Sequence, residues 1–145
     1  MPKTCQDKSK KITTIPDLIN SFNIKNCIIT ADAMATQRNI VSLIREKGGQ
    51  YVLALKANHK HFHEAVQALF SNPQFLTKCA YHKTEEKARG GLEIREYWQS
   101  TNIKSLVQRG EWKGLRSIAM VQRTTIKNGA TTIEKGSVPI YDTFI

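Results

Sequence analysis

Apolar positions recur along the chain first at a helical period and then at a strand period. Ile15, Leu18, Ile19 and Phe22 fall at i, i+3, i+4 and i+7, one stripe that predicts a helix. Thr14 is placed to cap it, with Pro16 and Asp17 in its opening turn, and the polar residues 1–12 are expected to be extended. Cys27 to Ala31 is a short apolar, β-branched run between helical segments, which reads as a buried parallel strand. Residues 33–47 suit a helix with Ile40, Val41 and Ile44 inward and Gly48-Gly49 as its stop. Tyr51 to Leu55 predicts a second buried strand. Phe62, Ala65, Val66, Leu69 and Phe70 then carry the clearest helical period, over 61–70.

After Pro73 the pattern changes. Residues 78–91 are polar and read as a loop, with Arg89-Gly90-Gly91 as a turn. Leu92 to Trp98 alternates, with Leu92, Ile94 and Glu96 on one face and Glu93, Arg95 and Tyr97 on the other. A short helix is expected at 103–107 and a strand at 115–126. Asn128-Gly129 then signals a hairpin into Thr131 to Ile133. The fold class is therefore α/β with a β-rich second half, and the break falls near residues 76–90.

Composition narrows the class. The 145 residues, 40% hydrophobic and 23% charged, are those of one globular unit and not of a disordered or fibrous chain. Lys plus Arg number 22 against 12 Asp plus Glu, a net charge of +10 spread along the whole sequence. Such a charge attracts polyanions, and nucleic acid stands slightly ahead of a merely solvated basic surface. Cys5, Cys27 and Cys79 are far apart and form no CxxC pair, which fits a reducing cytoplasm. No apolar run approaches the length of a membrane span.

Several segments match one family in order. Asp7-Lys8-Ser9-Lys10-Lys11-Ile12-Thr13-Thr14-Ile15-Pro16 resembles a K-S-N-E-I-T-A-I-P stretch. Ile28-Ile29-Thr30-Ala31-Asp32-Ala33-Met34-Ala35-Thr36-Gln37 resembles T-x-D-A-x-x-x-Q. Gly49-Gln50-Tyr51-Val52-Leu53-Ala54-Leu55-Lys56-Ala57-Asn58 resembles Y-L-x-A-L-K-x-N-Q, with His59 where the family has Gln. Weaker likeness to G-H-G-R-I-E-x-R runs through 86–97, and Trp112-Lys113-Gly114-Leu115-Arg116-Ser117-Ile118 resembles W-x-G-L-K-S-I. Together they resemble the H-repeat-associated transposases of bacterial insertion sequences. The resemblance implies a partial ribonuclease-H-like core over residues 1–76 and a β-rich insertion region over 77–145. It also implies an Asp-Asp-Glu triad that holds divalent ions, magnesium by expectation, roughly 3.5–4 Å apart at a DNA phosphate.

Asp32 is the residue that carries over, as the second acid and a metal ligand. Spacing alone favours a helix cap there; the resemblance shifts the balance to catalytic ancestry, and a position just beyond a strand's carboxyl end suits it. Nothing before Asp32 matches the D-G-K segment of the first acid, and the W-x-I-E-N segment of the third is expected only beyond Ile145. Glu93 lies on a strand of the insertion and suits a solvent or phosphate-side role better than metal binding. Lys56 follows the second strand at the same edge as Asp32, where a phosphate contact and a solvated lysine are equally good readings. Arg89 and Arg95 are weaker DNA contacts, since Gly91 occupies the place of the family's Arg.

His59, His61 and His63 suggest zinc, but the four-ligand set is incomplete and a polar helix start explains them better. Trp98 and Trp112 read as packing residues. The expectation is a truncated transposase, inactive alone because one carboxylate cannot hold two ions. The alternative is a non-catalytic nucleic-acid-binding remnant. A core lacking its first strands exposes the edge of the 27–31 strand, which predicts a homo-oligomer.

Overall fold

Alternation from Gln50 to Leu55 produces the strand around which the other elements are arranged. The computed structural model describes the backbone of residues 7–135 and 138–141 and the side chains of residues 14–87 and 89–135. Its helices are α1 (Asp7–Ser21), α2 (Arg38–Glu46), α3 (Lys60–Phe70) and α4 (Pro73–Leu76). Its strands are β1 (Ile28–Ala31), β2 (Gln50–Leu55), β3 (Ala80–Ala88), β4 (Gly91–Ser100), β5 (Ser117–Lys127), β6 (Ala130–Lys135) and β7 (Val138–Tyr141). Single 3₁₀ turns lie at Ala33–Ala35, Ala57–His59 and Val107–Glu111.

The strands form one mixed sheet in the order β1-β2-β7-β5-β4-β3, with β6 also paired to β5. β1 and β2 are parallel, β7 runs antiparallel to β2, and β5 antiparallel to β7, so β5 points the same way as β2. The fold is thus mixed α/β, as expected. Tyr51, Leu53 and Leu55 are fully buried on one face of β2. They share a core with Ile40, Val41 and Ile44 of α2 and with Phe62, Val66 and Phe70 of α3. Val52 and Ala54, on the opposite face, are only half-buried.

Several local expectations are corrected. α1 starts at Asp7, so residues 7–12 are helical and Thr14 is no cap; the expectation for 1–6 lies outside the described residues. Pro16 sits inside that helix, where it cannot donate to the carbonyl four residues back. β1 is parallel but not buried: it is the edge of the sheet, with Ile28 51% exposed. The expected helix over 33–47 is divided by Thr36 and Gln37, leaving a 3₁₀ turn and the shorter α2. The expected loop at 78–91 is β3, and the expected helix at 103–107 gives way to the 3₁₀ turn at Val107–Glu111.

The β3–β4 and β5–β6 hairpins close through the two-residue turns Arg89-Gly90 and Asn128-Gly129. All four residues have positive φ, 49° and 75° in the first turn and 50° and 75° in the second. Both are therefore turns of the kind whose twist suits a hairpin.

Candidate functional site

The carboxyl ends of β1 and β2 lie side by side, because Ala31 pairs with Leu53 in a parallel register. Asp32 follows the first strand and Lys56 the second, and both side chains are exposed. Asp32 caps the 3₁₀ turn behind it: one carboxylate oxygen accepts from the Met34 N–H at 3.1 Å. That hydrogen bond engages Oδ1, so the cap that spacing alone favours at Asp32 is present. A cleft of about 480 Å³ opens beside it, lined by Asp32, Ala31, Met34 and Ala35 and by Thr14, Ile15 and Leu18 of α1.

Three side chains join the turn after β1 to β2 and the turn after it. The Asn58 amide donates to the Ala33 carbonyl at 2.8 Å. The fully buried Thr36 hydroxyl donates to the Ala54 carbonyl at 2.6 Å. The His59 Nε2 lies 2.6 Å from the Thr36 carbonyl, and because a carbonyl only accepts, that nitrogen carries the proton. His59 also stands edge-on to Trp112 with ring centroids 4.9 Å apart, and Phe62 stacks on the same indole at 5.5 Å. Arg38 lies 5.9 Å over the indole and pairs with Glu111. Trp112 is thus buried against His59, Phe62 and Arg38, as its reading as a packing residue implies.

The sequence marks none of the three as a residue that joins the turns. Asn58 and Thr36 lie within matched family segments, and that was the only signal available. His59 was grouped with His61 and His63, yet it precedes α3 while the other two lie on it. Its Nε2 is engaged by Thr36. Among the described residues, no three His, Cys, Asp or Glu side chains come together as a metal-binding group.

The other candidates lie on the β-rich half. Arg89 occupies the β3–β4 turn. Arg95 and Glu93 share a face of β4 and form an ion pair, and the Glu93 charge pushes the guanidinium pKa up. Glu93 is therefore held by its neighbour and does not join Asp32. The described donor set at this edge is one carboxylate, which does not fit a pair of magnesium ions.

Comparison with known proteins gives the class. Over 128 residues the chain is 33% identical to an "Uncharacterized protein in dhlA 3'region" of Xanthobacter autotrophicus, covering 88% of the chain and 43% of that protein. It is 32% identical over 136 residues to "Putative transposase YncI" of Escherichia coli O157:H7, covering 92% and 35%. It is 33% identical over 120 residues to "H repeat-associated putative transposase YhhI" of Escherichia coli K12, covering 79% and 31%. No family model and no solved structure matches. The class is that of transposases. The chain belongs to the H repeat-associated family among them, and it spans less than half the length of these relatives.

Proposed function

We propose that the chain is part of a DNA-recombining transposase and that the edge bearing Asp32 and Lys56 is the side that meets DNA. The observation that carries this reading is the adjacency of the two residues at the ends of parallel strands, with the turns behind them joined by Asn58, Thr36 and His59. Family membership and a net charge of +10 support a polyanionic partner. The parallel pair with an acid beyond its first strand is consistent with a ribonuclease-H-like core.

In this reading Asp32 is an inherited metal ligand. Magnesium-dependent strand cleavage requires further carboxylates beside it, so the 145-residue chain alone binds DNA without cutting it. Lys56 contributes one phosphate contact. Fluorescence anisotropy with duplex DNA tests this: affinity falls steeply with salt, and Lys56→Ala lowers the slope of log K against log salt by about one. Absent or salt-independent binding overturns the reading. Magnesium-dependent nicking that Asp32→Ala abolishes overturns the inactivity.

The edge of β1 supports self-association as a second element of the proposal. Ile28 on that strand and Leu18 and Phe22 on α1 are 51%, 56% and 60% exposed. An unpaired strand edge flanked by apolar side chains favours pairing with another chain. A monomer by light scattering at micromolar concentration contradicts it.

A further inference from the structure

Residues 121–127 of β5 extend beyond the level at which β2 ends, because Leu53, Ile140 and Ile118 lie in line across the sheet. At about 3.3 Å per residue the extension projects roughly 20 Å. β5 runs parallel to β2, so the projection leaves the sheet from the same edge that carries Asp32 and Lys56. At its end the two hairpin turns lie next to each other, with Gly91 paired to Lys127.

Charge is distributed unevenly along this projection. On its shaft three cations are matched by carboxylates, Lys83 with Glu85, Arg95 with Glu93 and Arg123 with Glu134, while Lys135 at the base, in register with Gln122, is in none of these pairs. At the tip Lys87, Arg89 and Lys127 are exposed, and none has an ion-pair partner among the described residues. Lys87 pairs in register with Leu92, which pairs with Ile126. Directly opposed residues share a face and successive residues alternate, so Lys127 lies on the face opposite Lys87. Arg89 and Asn128 lead the two turns.

The geometry points to the major groove of duplex DNA as the site this tip enters, an inference that rests on the DNA-binding reading above. A sheet is roughly 10 Å thick, judged from the spacing of packed sheets. The major groove is about 12 Å wide and admits β-ribbons. Entering end-on, the tip presents Lys87 to one phosphate backbone and Lys127 to the other. Arg89 and Asn128 face the base edges, where guanidinium and amide groups make bidentate contacts to guanine and adenine. A cleft of about 420 Å³ beside Lys87, Arg89 and Gly90 leaves space for a phosphate at the same tip.

The test is anisotropy titration of the full chain on duplex DNA across a salt series. Lys87→Ala, Lys127→Ala and Arg89→Gly are compared with Lys78→Ala, an exposed lysine just before β3 at the other end of the projection. Lys87→Ala and Lys127→Ala each lower the salt slope by about one, Arg89→Gly weakens binding to GC-rich duplex roughly ten- to a hundredfold with little change of slope, and Lys78→Ala changes neither. Arg89→Lys keeps the slope and narrows the affinity difference between GC-rich and AT-rich duplexes. Methyl green, a major-groove ligand, competes, and netropsin in the minor groove does not. Arg89→Gly removes a side chain from a left-handed position, so its melting temperature stays at or above the parent's and loss of folding cannot imitate loss of binding. If the parent binds and Lys56→Ala alone lowers the slope, this inference falls and the DNA-binding reading stands. If the parent shows no salt-dependent binding, both fall. Competition by netropsin instead of methyl green also overturns the groove assignment.

Discussion

The Asn58 side-chain amide donates to the Ala33 carbonyl at 2.8 Å, so the turn behind Lys56 is tied to the turn behind Asp32. The contact crosses between two loops whose strands run parallel, and it ties together the segments that follow the exposed Asp32 and Lys56. Asn58→Ala removes one largely exposed hydrogen bond and should cost about 0.5–1.5 kcal/mol. The more telling readout is local: backbone amides of residues 34–37 should exchange faster with deuterium, while those of α3 stay protected. Uniform exchange across both segments would contradict the role assigned to Asn58.

Trp112 is 1% exposed and lies between Phe62, His59 and Arg38. Its indole N–H has no acceptor among the described residues, so its contribution is packing. Trp112→Ala should cost about 3–5 kcal/mol in chemical denaturation. A loss below about 1 kcal/mol would contradict its place in the core beside His59 and Phe62.

The tip of the β3–β4 hairpin makes opposite demands on neighbouring residues. Arg89 has φ of 49°, a left-handed conformation that disfavours a side chain, whereas a Cβ at Gly91 would meet the Ile126 carbonyl oxygen at 2.8 Å. Arg89→Gly should leave stability equal or raise it by up to about 1 kcal/mol. Gly91→Ala should lower it by about 1–3 kcal/mol, because the obstructing atom belongs to the backbone of the next strand. Thermal melts of the two variants check the pair, and a reversed order would contradict the register.

The two described cysteines should differ in reactivity. Burial pushes the Cys79 thiol up, with the hydrogen bond to Ser100 partly opposing it, while Cys27 is exposed. A raised pKa keeps the thiol protonated to higher pH, so its alkylation lags that of Cys27 at pH 8 and catches up as pH rises. Peptide-level mass spectrometry after iodoacetamide labelling reads each site, and equal rates at pH 8 would contradict the burial of Cys79.

The sequence disclosed elements where one face is buried. Phe62, Val66 and Phe70 recur on α3 because that helix has one face on the core, and Asn128-Gly129 specifies its hairpin through backbone conformation alone. β3 was hidden because its segment from His82 to Lys87 is polar on both faces, as suits a strand in a projection wet on either side. Pro16 imitated a helix start while lying inside α1. Pro139 argues against a strand at 138–141, yet it stands in register with Ala54 of β2 and outside the β5–β7 ladder, which joins Ile140 and Tyr141. At the site, Asp32 and Lys56 were legible because each follows an apolar strand. The joining roles of Thr36, Asn58 and His59 depend on two loops meeting in space, which no local spacing reveals.

The most direct test of the central claim is salt-dependent binding of the 145-residue chain to duplex DNA, followed by anisotropy from 50 to 200 mM salt, roughly the range over which phosphate contacts lose most affinity. Binding is expected to be independent of magnesium and to weaken steeply with salt, with a slope that falls by about one in Lys56→Ala. No binding at low salt, or an affinity indifferent to both salt and Lys56, would contradict it.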